Sequence, residues 1–339
     1  MTILFSLTIS ICFTISNRRH KIPEDAISSG IFNYASVENY GYRYNALEKR
    51  VESIYLLKNL EYSFLENIHI PGMPDTKDKD YDKRIIFNTS QCLQGLCITD
   101  RYVLITSDSD GDANLGELFV FDKYRGELLL TLAMHADSHV GGITWDGKNL
   151  WICNSNNNKI ERLSYNTLIQ MTDKLKGQVI DSRNLTESYV INNTPSGVAY
   201  YDGKLWIVTH NILLNGCMKA YIYDENVEQL FEQATYSIPK KTQALAFGKQ
   251  GKIYISSSYG RRNSSFIRCY ESIEMLEKSK ASYQFLIELP PSSEGIVVEE
   301  DILYVLFESA GERYLNGTDG LGRSISPIDK ILRIRLDSM

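Results

Sequence analysis

Five stretches of the chain repeat one pattern of hydrophobic and polar positions. Each has a small residue, a short apolar run, a polar turn and then a second aliphatic or aromatic run. The copies are LQGLCITDRYVLI, VGGITWDGKNLWI, PSGVAYYDGKLWI, TQALAFGKQGKIYI and SEGIVVEEDILYVL. Their small residues are Gly95, Gly142, Gly197, Ala244 and Gly295, spaced 47, 55, 47 and 51 positions apart. The pattern predicts two short strands joined by a turn in every copy.

A repeat of this length with several short strands is typical of β-propeller blades, which bury their faces only by stacking. In the second copy, GITWDG, NLWICNS, KIERLSY and ESYVIN are predicted to be strands A to D of one blade. Asp146-Gly147 and Asp202-Gly203 suit tight A-to-B hairpins, since both residue types tolerate positive φ. Tryptophans on these strands are expected to pack between blades. The sequence therefore predicts an all-β fold, a five-bladed β-propeller over residues 62–339.

The last repeat ends after its third strand, SPIDKILRIRL, and needs a fourth from elsewhere. Tyr62–Pro71 (YSFLENIHIP) resembles YQFLIELP, the segment that precedes the last repeat, so we expect an N-terminal strand to close the ring. Pairing it with the C-terminal blade would remove exposed strand edges. An apolar stripe at helical spacing predicts an N-terminal helix within residues 21–61, packed on the propeller. The stripe consists of Val37, Tyr40, Tyr44, Leu47, Val51 and Ile54.

The chain begins with an apolar run over residues 2–16, too short to span a bilayer comfortably. We interpret residues 1–20 as a signal peptide, which predicts a secreted or extracytoplasmic protein with no stable membrane span after processing. The alternative is a buried N-terminal strand.

A net charge of -6 without a basic cluster argues against a nucleic-acid partner.

Strands alternate in direction, so the D-to-A and B-to-C loops of every blade emerge at one end of the ring, here called the top face. The opposite face receives the A-to-B turns and the C-to-D connections, including a helix predicted near residues 271–280. Most polar candidates fall in top-face loops. The catalytic candidates are His139, His210, Glu294 and Glu308, as acids, bases or metal ligands. The ligand-binding candidates are Asn154, Tyr259, Arg261 and Gln243.

Each candidate also has a structural interpretation. His139 could anchor the turn before Gly141, and Arg261 could pair with acidic loops instead of holding an anionic ligand.

Asp108, Asp110 and Asp112 alternate in DSDGDANLGE as oxygen ligands of calcium often do. The segment lacks the EF-hand glycine position and final glutamate, so a solvated hairpin loop is the alternative. Calcium or another divalent metal is the only cofactor that the sequence suggests.

Three motifs carry a family resemblance: HVGGITWDGKNLWI, SSSYGRRNSS and SEGIVVEEDILYVLFESAGERY followed by PIDKILRI. They resemble a family of uncharacterised secreted bacterial propeller-like proteins, from about Gly95 to the C-terminus. The repeats resemble more distantly streptogramin lyase and the gluconolactonase-like metal-dependent hydrolases. The first resemblance implies export and the propeller fold, without an established activity.

Three functional hypotheses follow. The first is a secreted propeller that binds a small polar or carbohydrate-like ligand in a funnel on the top face. The second is a metal-assisted hydrolase or lyase that uses the same funnel, with a histidine as base and Glu294 or Glu308 as acid or metal ligand. The third is a protein-interaction scaffold, which would need an exposed apolar patch.

Overall fold

The computed structural model describes residues 54–74, 91–109, 115–136, 139–337 and 339. The predicted signal peptide and the helical stripe from Val37 to Val51 lie outside these ranges. The described strands form five sheets of four or five strands each. Each sheet contains one copy of the sequence repeat, so the predicted five-bladed propeller is confirmed.

The strands are as follows. Two short strands come first: β1 (Ile54–Leu56) and β2 (Tyr62–Phe64). Blade one has β3 (Gln91–Ile98), β4 (Tyr102–Ser109), β5 (Leu115–Asp122) and β6 (Leu128–Ala136). Blade two has β7 (Val140–Trp145), β8 (Asn149–Asn154), β9 (Lys159–Ser164) and, after the short β10 (Val179–Asp181), β11 (Thr186–Val190). Blade three has β12 (Gly197–Tyr201), β13 (Lys204–Thr209), β14 (Gly216–Asp224) and β15 (Gln229–Ile238).

Blade four has β16 (Thr242–Phe247), β17 (Ile253–Ser257), β18 (Ser265–Tyr270) and β19 (Phe285–Leu289). Blade five has β20 (Ser293–Glu299), β21 (Ile302–Phe307) and β22 (Leu332–Arg335). The described helices lie in the connections: α1 (Tyr165–Lys174), α2 (Ile273–Lys278) and α3 (Glu312–Asn316). Helix α2 lies within the range predicted to be helical. Three-residue 3-10 helices cover Leu57–Asn59, Ser155–Asn157 and Lys249–Gly251.

The inner strands β3, β7, β12, β16 and β20 contact one another in this order, and β20 also contacts β3, so the ring is closed. The repeat glycines lie where these strands approach most closely. A Cβ atom on Gly142 would lie 2.7 Å from the Cα of Gly197, and one on Gly295 would lie 2.6 Å from the backbone nitrogen of Leu96. The small residues therefore recur along the sequence because the backbones of neighbouring blades are in contact at these positions.

Ring closure follows the prediction. Strand β2 pairs antiparallel with β22 and supplies the fourth strand of blade five. The backbone nitrogen of Leu65 extends this pairing, donating to the carbonyl of Ile331 at 2.9 Å. The paired segment is shorter than the predicted Tyr62–Pro71. Ile54, the last residue of the predicted helical stripe, lies in strand β1, which pairs in parallel with β19. Strand β10 adds to β6 of blade one in the same parallel way.

Aromatic side chains fill the space between blades, as expected for the tryptophans. Trp151 of blade two is fully buried, with its ring centroid 5.1 Å from that of Tyr223 in blade three. Trp206 of blade three packs on Phe247 of blade four at 5.4 Å. The Asp202-Gly203 turn has φ values of 50° and 72°, which agrees with the predicted tight hairpin.

No disulfide joins any two of the five described cysteines, which are Cys92, Cys97, Cys153, Cys217 and Cys269. Burial raises the pKa of the Cys97 thiol to about 12, so this cysteine is held in its neutral, unreactive form. Within the described ranges, no helix has both the length and the apolar character needed to cross a membrane.

Candidate acid–base site

The inner strands of blades four and five begin with the same backbone geometry. Lys241 and Ser292 both adopt positive φ, at 63° and 67°, and each lies two residues before a polar side chain, Gln243 or Glu294. The strand register shifts at both polar residues, so each is part of a bulge. A bulge takes a side chain out of the regular alternation and redirects it. Here the two redirected side chains meet, with Nε2 of Gln243 donating to Oε1 of Glu294 at 2.8 Å.

Glu294 is also hydrogen-bonded to Glu308, which follows β21 in the B-to-C loop of the same blade. The two residues are only 6% and 9% exposed. Burial raises the pKa of Glu294 well above its usual range, and the nearby charge of Glu308 raises it further. Burial also raises the pKa of Glu308 to about 7. Two carboxyl groups in such contact cannot both ionise easily, so near neutral pH the pair holds a shared proton.

Tyr314 on helix α3 continues the network, since its hydroxyl is hydrogen-bonded to Glu308. This bond and the charges of Arg313 and Arg261 lower the pKa of Glu308, but burial outweighs them. Burial, followed by the charge of Glu308, raises the pKa of Tyr314. The phenol therefore stays protonated and can donate to the carboxylate form of Glu308.

His210, in the B-to-C loop of blade three, lies at the other end of the network. Its Nδ1 lies 3.1 Å from the carbonyl oxygen of Thr242, to which it donates, and the ring is also hydrogen-bonded to the side chain of Gln243. Burial lowers the pKa of His210, so the imidazole is neutral at pH 7. One amide therefore separates the imidazole from the carboxyl pair. We call this set the polar chain; it consists of His210, Gln243, Glu294, Glu308 and Tyr314.

Arg261 does not face an open site. Its side chain is 7% exposed, and its guanidinium forms an ion pair with both carboxylate oxygens of Asp319, with a 2.9 Å bond to Oδ1. It also donates to the carbonyl of Gly322 and lies 4.5 Å from the centre of the Tyr314 ring. Of the two roles considered for Arg261, the geometry matches pairing with an acidic loop. Arg261 fastens the connection between β21 and β22 to blade four and packs on Tyr314.

His139 and Asp108 form a separate pair between blades one and two. Nδ1 of the histidine lies 2.8 Å from Oδ2 of the aspartate. Asp110 and Asp112 lie outside the described residues, so calcium binding by this loop stays a prediction. Among the residues that the structure describes, no three His, Cys, Asp or Glu side chains are grouped closely enough to hold a metal ion.

The remaining two candidates have partners of their own. Asn154 is buried and donates to Oε1 of Glu161 at 2.7 Å, within blade two. Tyr259 is 42% exposed on the top face, and the ammonium of Lys241 lies 4.9 Å from the centre of its ring.

Sequence reasoning missed Tyr314, Asp319 and Lys241. The first two lie in the long connection between β21 and β22, outside the repeated part of the blade. No periodicity indicates which residues of such a connection return to the ring. Lys241 lies two residues before Gln243, as Ser292 lies two residues before Glu294, but this spacing by itself does not indicate a function.

No protein-family profile matches the chain, and no curated protein matches it. Among solved structures, it is similar to Myxococcus xanthus glutaminyl cyclase at 9% identity and a TM-score of 0.49, over 84% of this chain and 97% of the cyclase. It is similar to a chain of the nidogen/laminin complex at 12% identity and a TM-score of 0.39, over 65% and 73%. It is similar to streptogramin B lyase, the more distant resemblance of the repeats, at 14% identity and a TM-score of 0.33, over 72% and 64%.

Proposed function

We propose that the protein is an enzyme in which Glu294 and Glu308 together transfer protons to and from a small polar ligand at the top face. The reaction class is hydrolysis or elimination. The observation that carries the proposal is the buried, hydrogen-bonded carboxyl pair, in which the pKa of Glu308 is raised to about 7. A general acid–base group works best when its pKa lies close to the pH at which the enzyme operates.

The contact between the two carboxyl groups limits the chemistry. Glycosidases that use two carboxyl groups separately keep them about 5 Å or more apart, to leave room for the sugar or a water molecule. Glu294 and Glu308 are hydrogen-bonded to each other instead. We therefore propose that they act as one unit that holds one proton, as paired carboxyl groups do when like charges share a site.

The other members of the polar chain would orient the ligand. The neutral imidazole of His210 and the amide of Gln243 offer hydrogen bonds next to Glu294. Tyr314 would stabilise Glu308 when it has given up its proton. The apolar run at residues 2–16 supports our further proposal that the protein acts after export.

A second candidate function is ligand binding without turnover, as in the first hypothesis drawn from the sequence. One observation favours it: every member of the polar chain is already hydrogen-bonded within the protein. A network of this kind is rigid and suits selective recognition of a polar ligand.

The test is a turnover screen with matched variants. Purified protein is incubated with mixtures of small amides, esters, lactones and hydroxy acids, and products are detected by mass spectrometry. Glu308→Gln keeps the shape of the side chain but cannot carry the proton. Glu312→Gln, at an exposed position on α3, is the control.

We expect a compound to be consumed by the wild type and by Glu312→Gln, and to be bound but not consumed by Glu308→Gln. Turnover that survives in Glu308→Gln would refute the proposed role of the carboxyl pair. Saturable binding without any product would favour the binding protein instead.

A further inference from the structure

Lys241 has an unusual backbone conformation at the top face. Its φ of 63° is costly for a residue with a long side chain, and such strain persists only where the surroundings enforce it. Two backbone hydrogen bonds do so: its nitrogen donates to the carbonyl of Asn211 at 2.7 Å, and its carbonyl accepts from the nitrogen of Ser258 at 2.9 Å. Loops of blades three and four therefore fix the point from which the lysine side chain extends.

The Lys241 ammonium has no acidic partner in the described part of the chain. The ion pairs found there include Lys219 with Glu232 and Lys249 with Asp301, but none that involves Lys241. Its contact is the face of the Tyr259 ring, at 4.9 Å. A lysine carries its charge at the end of a flexible aliphatic side chain. The side chain of Lys241 is partly buried, and the Tyr259 ring limits its conformational freedom.

The charge of Lys241 acts on the polar chain. It is one of the causes that lower the pKa of His210, which places the ammonium within electrostatic reach of the imidazole. From there, hydrogen bonds lead from His210 through Gln243 to Glu294. A positive charge thus lies at the end of the polar chain that is remote from the carboxyl pair.

We propose that Lys241 and Tyr259 bind a carboxylate group of the ligand, and that the ligand extends from there past His210 and Gln243 to the carboxyl pair. The ligand class is then a small carboxylic acid with a second polar group that Glu294 and Glu308 protonate or deprotonate. A single ammonium matches the single charge of a carboxylate. This inference rests on the proposed function and identifies the class of substrate.

The sequence suggested Arg261 as the residue that holds an anionic ligand, but in the structure Lys241 is better placed for this role. The guanidinium of Arg261 is already neutralised by Asp319 and is buried beneath the connection that follows α3.

The experiment compares carboxylic acids with their neutral amides. The probes are gluconate with gluconamide, 4-hydroxybutyrate with 4-hydroxybutyramide, and N-acetylglycine with N-acetylglycinamide. Affinities are measured by calorimetry or ligand-observed NMR at low ionic strength, for the wild type and for Lys241→Met, Lys241→Arg and Lys240→Met. Lys240 is the exposed neighbouring residue and controls for the loss of one surface charge. Thermal melting checks that each variant is folded.

We expect the wild type to bind at least one acid roughly tenfold or more tightly than its amide, the value of a charge-assisted hydrogen bond. Lys240→Met and Lys241→Arg should keep this preference, and Lys241→Met should lose it. Equal affinity for acids and amides, no saturable binding of any acid, or a preference that survives in Lys241→Met would overturn the inference.

Glu308→Gln separates this inference from the proposed function. It should keep the preference for acids, because Lys241 is untouched, and should lose turnover. A carboxyl pair that catalyses without any preference for acids would refute the role of Lys241 alone. A preference for acids with unchanged turnover in Glu308→Gln would refute the acid–base proposal alone.

Discussion

Replacement of Glu308 by glutamine should remove a pH dependence of stability that the buried carboxyl pair creates. The folded protein holds a proton on this pair more tightly than the unfolded chain does, because the pKa of Glu308 is raised from 4.5 to about 7. The stabilising effect is therefore complete below pH 4.5. It is lost as the pH rises towards 7, since in that window the unfolded chain releases a proton that the folded protein retains.

The size of the effect follows from the same pKa. Each pH unit in this window lowers the contribution of Glu308 to the free energy of unfolding by about 1.4 kcal/mol, so that contribution decreases by about 3 kcal/mol between pH 4.5 and 7. The groups that face Glu308 are Glu294, Tyr314, Arg313 and Arg261. All four lower its pKa, Tyr314 and Glu294 through hydrogen bonds and Arg313 and Arg261 through their charges, and this opposing effect is included in the value of about 7.

Urea unfolding at half-unit steps between pH 4.5 and 7.5, followed by fluorescence and circular dichroism, measures this dependence. We expect the slope of stability against pH to become less negative by about one proton equivalent in Glu308→Gln, because glutamine does not titrate. The exposed control Glu312→Gln should keep the wild-type slope. An unchanged slope in Glu308→Gln would show that Glu308 is ionised near pH 4.5, and the account of the carboxyl pair would be wrong.

Three further expectations concern the ring itself. Gly295→Ala should lower the unfolding free energy by about 1–3 kcal/mol in thermal or urea unfolding, because the new Cβ would lie 2.6 Å from a backbone nitrogen of blade one. If the variant were as stable as the wild type, the close approach of the blades would be contradicted. Leu65→Pro should destabilise the protein by about 1 kcal/mol more than Leu65→Ala, because proline lacks the backbone N–H that donates to the carbonyl of Ile331. It should also expose the closing strand to proteases. Equal effects of the two substitutions would argue against this hydrogen bond. Arg261→Met should lower the free energy of unfolding by about 2 kcal/mol or more, because the carboxylate of Asp319 loses its partner. Adding Asp319→Asn should restore part of that stability. Additive losses in the double variant would refute the pairing.

The repeated part of the fold could be predicted because its cause is local and periodic. Gly95, Gly142, Gly197, Ala244 and Gly295 recur because each inner strand meets its neighbours along the axis, where backbone atoms leave no room for a large side chain. The closing strand could be predicted because the last repeat stops one strand short.

The parallel strands β1 and β10 could not be predicted in this way. Each has only three residues, too few to show an alternating pattern, and each is defined by the strand beside which it lies. Ile54 illustrates the difficulty, since its spacing from the preceding apolar residues fits a helix, whereas its pairing with Leu286 makes it part of a sheet.

The top face was predicted from strand direction alone, but the contacts within it were not. Glu294 and Glu308 were both candidates because each lies at a loop of the same face. Their mutual hydrogen bond depends on the side-chain directions at the bulge around Glu294, which the repeat pattern alone does not specify. The roles of Tyr314 and Asp319 depend on the path of the connection between β21 and β22, which tertiary packing sets.

The most direct test of the central claim is an NMR titration of the glutamate side-chain carboxyl carbons in the isotope-labelled protein. Comparison with Glu308→Gln and Glu294→Gln assigns the signals of the pair. The account predicts that the pair titrates with a step near pH 7 and that this step is absent from Glu308→Gln. Titration of both carboxyl groups near pH 4.5, as for an exposed glutamate, would contradict the shared proton and with it the acid–base site.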